Sequence, residues 1–98
     1  MIIRIISFTD RGQALSQTLA ASLSDHLVQQ YAKAVDFLPY TSVRTFTEEG
    51  MAQADLLVFI GATGIAVRAI APFVRSKDTD PAVLVIDENG KFVISLLS

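Results

Sequence analysis

The sequence predicts a single α/β domain with a doubly wound, mostly parallel sheet of about five strands. We expect three α/β/α layers, closed by an antiparallel C-terminal edge strand. Short apolar runs alternate along the chain with stretches of helical periodicity, and the run Asp55–Ile60 is apolar on both faces after its first residue, as a central parallel strand requires. The chain has 98 residues, too few for a second core of ordinary size, so residues 1–98 form one predicted domain.

The first half of the chain is predicted to hold two strands and two helices. Ile2–Phe8 is a β-branched strand, and the helix after it has Thr9 or Asp10 as its N-cap. The stripe of that helix consists of leucines at every fourth position: Leu15, Leu19, Leu23 and Leu27. Val35–Leu38 is predicted as the second strand and Ser42–Gln53 as a second, weaker helix.

The second half repeats the alternation after the central strand. Gly61–Gly64 turns the chain into a third helix that extends to about Val74 and is tightened near its end by a proline. Ala82–Ile86 is a buried strand. An Asn-Gly turn then predicts a hairpin, with Phe92–Leu97 returning antiparallel.

The composition excludes several classes of protein. It is 51% hydrophobic and 18% charged, which argues against disorder, and the net charge of -2 with dispersed Lys and Arg argues against nucleic-acid binding. The chain has no cysteine, so disulfides and thiolate metal sites are excluded. No apolar run reaches membrane-spanning length. We expect a cytoplasmic protein without a membrane partner.

The turn after the central strand is the first candidate ligand site. Open parallel sheets bind ligands at the carboxyl ends of their strands, where Thr9 and the loop containing Gly61, Thr63 and Gly64 are predicted to meet. Glycine lets backbone approach a ligand, Thr63 could cap the helix or donate its hydroxyl, and free N–H groups at a helix start favour an anion. The alternative is a tight turn that needs glycine for its backbone geometry alone.

The second candidate is a basic cluster of Arg68, Arg75 and Lys77, with Asp78 and Thr79 beside it. These side chains either pair with the carboxylates of a polyanionic ligand or form a solvated helix end and loop. A helix of about eleven residues is roughly 16 Å long. The loop from Arg75 to Thr79 is therefore expected at the opposite edge of the sheet from Thr63, and one small ligand cannot contact both.

Other chemistry is weakly supported. The glycine loop lacks the Gly-Lys-Ser/Thr ending of a P-loop, but it is similar to some dinucleotide-binding loops, with Val67 in place of the third glycine and Asp87 as a candidate ribose ligand. His26 is the only histidine and is predicted to be structural. We identify no catalytic base and no metal site. A non-catalytic module that docks on another chain is a further alternative.

The stretch from Phe59 to Pro72, which reads Phe-Ile-Gly-Ala-Thr-Gly-Ile-Ala-Val-Arg-Ala-Ile-Ala-Pro, resembles the signature of the cobalt-precorrin-5A hydrolase (CbiG) family. Ser76–Val83, the closing Val93–Ser98 and the opening Ile5–Gly12 are also similar to that family, in its order and spacing. The middle of the chain carries no motif of the family.

The resemblance implies the N-terminal domain of an enzyme of anaerobic cobalamin biosynthesis. That enzyme opens the ring A δ-lactone of cobalt-precorrin-5A with water and releases acetaldehyde. Its cobalt arrives with the tetrapyrrole substrate, so no cofactor is implied. In the family the closing Leu-Leu-Ser is followed by Gly-His-x-Gly-Gly-Ala-Asn and by further domains. We therefore expect a chain truncated before them and inactive alone, whose partners are the substrate, those C-terminal domains and a second copy in a homodimer.

Overall fold

The computed structural model describes every residue from 1 to 98. Strands and helices alternate along the chain as β1 (Ile2–Ser7), α1 (Asp10–Ser22), β2 (Leu27–Tyr31), α2 (Val43–Gln53), β3 (Leu56–Ile60), α3 (Thr63–Ile70), β4 (Ala82–Ile86) and β5 (Val93–Leu97). A short 3₁₀ helix, Ala71–Phe73, follows α3. The predicted tightening near Pro72 is therefore confirmed.

The strands form one sheet in the order β2-β1-β3-β4-β5. The first four are parallel and β5 pairs antiparallel with β4, which confirms the predicted fold class. Alternate residues of β3 supply two cores: Val58 and Ile60 face the leucines of α1, while Leu57 and Phe59 belong to the core under α2 and α3. The sheet is thus covered on both faces, as its wholly apolar central strand requires.

The position of the second strand was predicted wrongly. β2 is Leu27–Tyr31, and Leu38 makes only an isolated bridge to Tyr31. Within the predicted strand, Asp36 has a φ of 71°, which extended backbone does not allow, and Val35 is 86% exposed. The leucine stripe also misplaced the end of α1, because the helix stops at Ser22 and Leu27 opens β2.

Two glutamines in β2, Gln29 and Gln30, explain why the local pattern did not predict this strand. Its glutamines are unusual in a strand, but both have side-chain partners from elsewhere in the chain. Arg4 donates to the Gln29 side chain at 2.8 Å, and the Ser16 hydroxyl donates to that of Gln30 at 2.8 Å. Hydrogen bonds from distant residues thus satisfy the polar side chains of this strand. The local sequence pattern does not show those partners, so the glutamines made a strand look unfavourable.

None of the helices combines the length and the apolar composition that a membrane crossing requires.

Candidate functional site

The sheet has its switch in strand order between β1 and β3. These neighbours end together, with Ser7 paired to Ile60, and the chain leaves them in opposite directions, through α1 to β2 and through α3 to β4. Ligands of doubly wound folds bind in the crevice outside such a pair of strand ends. Thr9 and the Gly61–Gly64 loop therefore lie at the same edge of the sheet. The two loops touch there, since a Cβ on Gly61 would lie 3.3 Å from the Phe8 ring.

The start of α1 is closed by the protein's own side chains. The Thr9 hydroxyl accepts a hydrogen bond from the Gly12 N–H at 3.0 Å and donates one to the Glu88 carboxylate at 2.7 Å. Arg11 donates to the Asn89 side chain at 2.8 Å. The turn between β4 and β5 thus lies over this helix start. The structure confirms Thr9 as the N-cap and leaves its hydroxyl little capacity for a ligand.

The start of α3 is open by comparison. Ala62 is the N-cap residue, so no side chain caps the helix, and the predicted capping role of Thr63 is wrong because Thr63 is already the first helical residue. The Gly61 N–H donates to the Ile86 carbonyl at 2.9 Å and the Ile65 N–H to the Ala62 carbonyl at 3.1 Å. The N–H groups of Thr63 and Gly64 have no intrahelical acceptor, as at any helix start.

Space is available beside these amides. Gly64 is exposed, and a Cβ added to it would meet no atom within 4 Å. Glycine at this position is therefore not required by packing. Free N–H groups together with the positive end of the helix dipole make this an anion-binding arrangement.

Arg68 lies farther along the same helix. It is exposed and borders a shallow cavity of about 320 Å³ between α2 and α3. Arg44, which sequence reasoning missed, borders the same cavity and places its guanidinium 5.2 Å from the centre of the Phe73 ring. Two arginines therefore flank one depression beyond the α3 start. Arg44 could not be found from the sequence because only the packing of α2 on α3 brings it there.

The structure divides the second predicted cluster: Arg68 belongs to α3, and the other residues lie at the opposite edge of the sheet. Arg75, Lys77, Asp78 and Thr79 belong to the loop that leads into the start of β4, where Ala82 pairs with Leu56 at the start of β3. Asp80 organises this loop by accepting from the backbone N–H of Arg75 at 2.8 Å and of Ser76 at 3.2 Å. Cavities of about 490 Å³ and 320 Å³ adjoin Arg75. The two clusters are not brought together.

Ser7 is a residue at the switch point that sequence reasoning did not single out. It is 1% exposed, and its hydroxyl has no hydrogen-bond partner. It packs against Gly12 at the base of α1, where a Cβ on that glycine would lie 3.3 Å from the Ser7 Cβ. A polar residue directly after the buried Ile5 and Ile6, at the carboxyl end of the strand, was the available signal.

The candidate ribose ligand of the dinucleotide-binding alternative has a structural role in the fold. The Asp87 carboxylate accepts from the backbone N–H of Phe92 at 2.6 Å and of Asn89 at 3.3 Å. It holds the hairpin turn between β4 and β5.

Fold and site together define the class of the protein: a doubly wound α/β domain whose switch point presents one closed and one open helix start. A family model described as cobalamin synthesis G N-terminal matches residues 45–98. The chain belongs to this family.

Curated relatives agree with the family match. A cobalt-precorrin-5A hydrolase of Salmonella typhimurium is 43% identical over 98 residues, covering 98% of this chain and 28% of the relative. A protein of the same name from Priestia megaterium is 55% identical over 42 residues, covering 43% of this chain and 11% of the relative. The chain thus spans little more than a quarter of the length of the Salmonella relative.

A solved structure has the same fold. The crystal structure of a cobalamin biosynthesis protein G homologue from Sulfolobus solfataricus superposes with a TM-score of 0.73 at 28% identity. The match covers 97% of this chain and 28% of that one.

Proposed function

We propose that this chain acts as the N-terminal domain of a cobalt-precorrin-5A hydrolase and holds a carboxylate of the tetrapyrrole substrate at the start of α3. The observation that carries the proposal is the uncapped helix start at the switch point, with its first amides free and open space beside Gly64. The name and identity of the Salmonella relative support the substrate class.

The reaction we propose for the whole enzyme is the opening of the ring A δ-lactone by water, with release of the extruded two-carbon unit as acetaldehyde. The role of this domain in it is binding and orientation. The N–H groups of Thr63 and Gly64 would hold a carboxylate or the lactone oxygen, the Thr63 hydroxyl would add a further donor, and Arg68 would pair with a second carboxylate. The cobalt would arrive within the substrate, and no catalytic base is assigned to this chain.

Thr9 and Gly61 would shape the site rather than bind through their side chains. Thr9 fixes the neighbouring helix start through its bonds to Gly12 and Glu88. Gly61 lets the loop after β3 pack against Phe8. Both residues would keep the crevice narrow on the α1 side, so that the anion enters over α3.

The cluster of Arg75, Lys77, Asp78 and Thr79 would serve a separate contact. It lies at the amino edge of the sheet, and one small ligand cannot reach both edges. We assign it to the interface with the remaining domains of the enzyme, which account for most of the length of the relatives. The cytoplasmic location and the homodimer remain predictions.

A chimera tests this role. The matching segment of the Salmonella hydrolase is replaced by this chain, and conversion of cobalt-precorrin-5A is followed. We expect turnover, and we expect Thr63→Pro to lower kcat/KM by about tenfold or more, because proline removes one N–H donor while its ring is compatible with the first position of a helix.

Two controls accompany Thr63→Pro in that chimera. Lys91→Gln changes an exposed cation outside the proposed site, so its kcat/KM should stay near that of the parent chimera. Thr63→Val keeps the N–H and removes only the hydroxyl, which separates the two donors of that residue. A folded but inactive chimera would contradict the assignment to this enzyme, and equal kcat/KM for Thr63→Pro would contradict the binding role of the amide.

A further inference from the structure

A further cleft, which shares no lining residue with the α3 start, lies on the α2 face of the sheet beside β2. Its volume is about 300 Å³, at the lower end of the range for small-molecule sites. We call it the tyrosine cleft. Its walls come from β1, β2, the segment before α2 and the first turns of α2, and they are formed by Arg4, Tyr31, Pro39, Tyr40, Thr41, Thr45, Phe46 and Glu49.

The aromatic wall of the tyrosine cleft is held by the core. Tyr31 packs edge-to-face on Phe46 with ring centroids 5.0 Å apart, and Phe46 packs likewise on the buried Phe59 at 5.9 Å. Phe46 is 3% exposed. Tyr31 is therefore fixed by rings that cannot move without disturbing the core, and the cleft offers a preformed surface for a flat ring.

Arg4 is the cation among the residues that line the cleft. It lies half-buried in the middle of β1, and its guanidinium carbon is 5.9 Å from the Tyr31 ring centre. Its two side-chain hydrogen bonds go to neutral amide oxygens, those of Gln29 at 2.8 Å and Gln53 at 2.7 Å. A guanidinium has five N–H donors, so donors remain, and its charge is oriented but not neutralised by these partners.

The other polar groups of the cleft determine which end of it favours an anionic group. Burial raises the pKa of Tyr40 above its usual value, so this phenol is a neutral hydroxyl at physiological pH. Glu49 lies on the α2 wall and repels an anion near it. The Lys33 ammonium lies 5.3 Å from the Tyr40 ring centre, but Lys33 does not line the cleft, so an anionic group within it is favoured at Arg4.

We propose that the tyrosine cleft binds a planar ring that carries a carboxylate, with the ring against Tyr31 and Tyr40 and the carboxylate on Arg4. A carboxylate pairs with the flat fork of a guanidinium, and a ring packs favourably on aromatic side chains. This site is separate from the α3 start and does not depend on the function proposed for it.

The chain contains its own reporter for this site. It has two tyrosines and no tryptophan, and both tyrosines line the cleft. Titration with 3-phenylpropionate, followed by tyrosine fluorescence, is expected to give a saturable change with a Kd on the order of millimolar, as suits a ligand of this size. Its neutral analogue 3-phenylpropanamide is expected to bind about tenfold more weakly, since it lacks the charge that pairs with Arg4.

Two variants with opposite effects test the assignment. Glu49→Gln removes the opposing charge and should tighten 3-phenylpropionate binding by about threefold or more. Arg4→Gln should weaken it by about tenfold. Lys91→Gln, an exposed cation outside the cleft, should leave it unchanged. If Arg4→Gln does not fold, Glu49→Gln and the neutral analogue still decide the question.

The proposal is overturned by any of three results: no saturable change with 3-phenylpropionate, equal affinity for its amide, or no effect of Glu49→Gln. Thr63→Pro separates this site from the α3 start. It should leave 3-phenylpropionate binding as it is, and a parallel loss would place the ligand at the switch point instead.

Discussion

The starts of α1 and α3 lie side by side at the ends of neighbouring parallel strands, yet they have opposite properties. At α1, Thr9 caps the helix and donates a hydrogen bond to the Glu88 carboxylate. The turn that contains Glu88 and Asn89 covers this helix start. At α3 the cap residue is alanine and no side chain approaches Gly64. The switch point alone therefore does not make a site. The third N–H is bonded at both starts, so the difference is what covers the first two: a turn and a carboxylate at α1, and neither at α3.

The difference between the two helix starts has a local cause and a long-range cause. Locally, threonine can accept from the N–H three residues later and alanine cannot, so only α1 is capped by its own sequence. At long range, the hairpin turn brings Glu88 and Asn89 over α1, and it bends there through Gly90 with a φ of 71°. The negative charge of Asp10 and Glu88 then occupies the positive end of the α1 dipole.

The largest loss of stability is expected for Thr9→Val, with Thr63→Val as the matched comparison. Thr9→Val removes the cap and the bond to Glu88, so it should lower the free energy of unfolding by about 1–2 kcal/mol. Thr63→Val removes no cap and should stay within about 0.5 kcal/mol of the parent. Urea unfolding of both variants measures this. Equal losses would show that the α3 start depends on its threonine just as α1 does.

A smaller effect is expected when only the charge over α1 is removed. Glu88→Gln keeps an acceptor for the Thr9 hydroxyl but loses the favourable interaction with the helix dipole, about 0.3–1 kcal/mol. The same urea measurement applies, with Lys91→Gln in the same hairpin as the control. A Glu88→Gln protein as stable as its parent would mean that the carboxylate does not act on the helix.

The smallest effect concerns the buried hydroxyl beneath α1. Ser7→Ala removes an oxygen without a partner, so the free energy of unfolding should be unchanged or higher by up to about 1 kcal/mol. A loss above about 1 kcal/mol would reveal a hydrogen bond to that hydroxyl. Such a bond would need a partner beside Ser7, so the α1 start would be packed less closely than the contacts of Gly12 indicate.

The glycine turn before α3 and the threonine cap of α1 could be predicted from sequence, but the turn that covers α1 could not. A glycine-containing turn after an apolar strand is a local pattern, and β3, the Gly61–Gly64 loop and β4 were placed correctly from it. The contact of Thr9 with Glu88 joins residues 79 positions apart, and no local pattern encodes it. Long-range contacts also explain why β2 was not predicted, since its glutamines find their partners only in Arg4 and Ser16. The tyrosine cleft could not be predicted either, because its walls come from four separate segments.

An amide-resolved NMR titration with citrate, a small polycarboxylate, compares the two helix starts within one sample. We expect saturable shifts of the Thr63 and Gly64 amides, little response from those of Asp10 and Arg11, and a weaker Gly64 response in Thr63→Pro. Equal responses at both helix starts, or none at either, would contradict the claim that the α3 start alone is open to an anion.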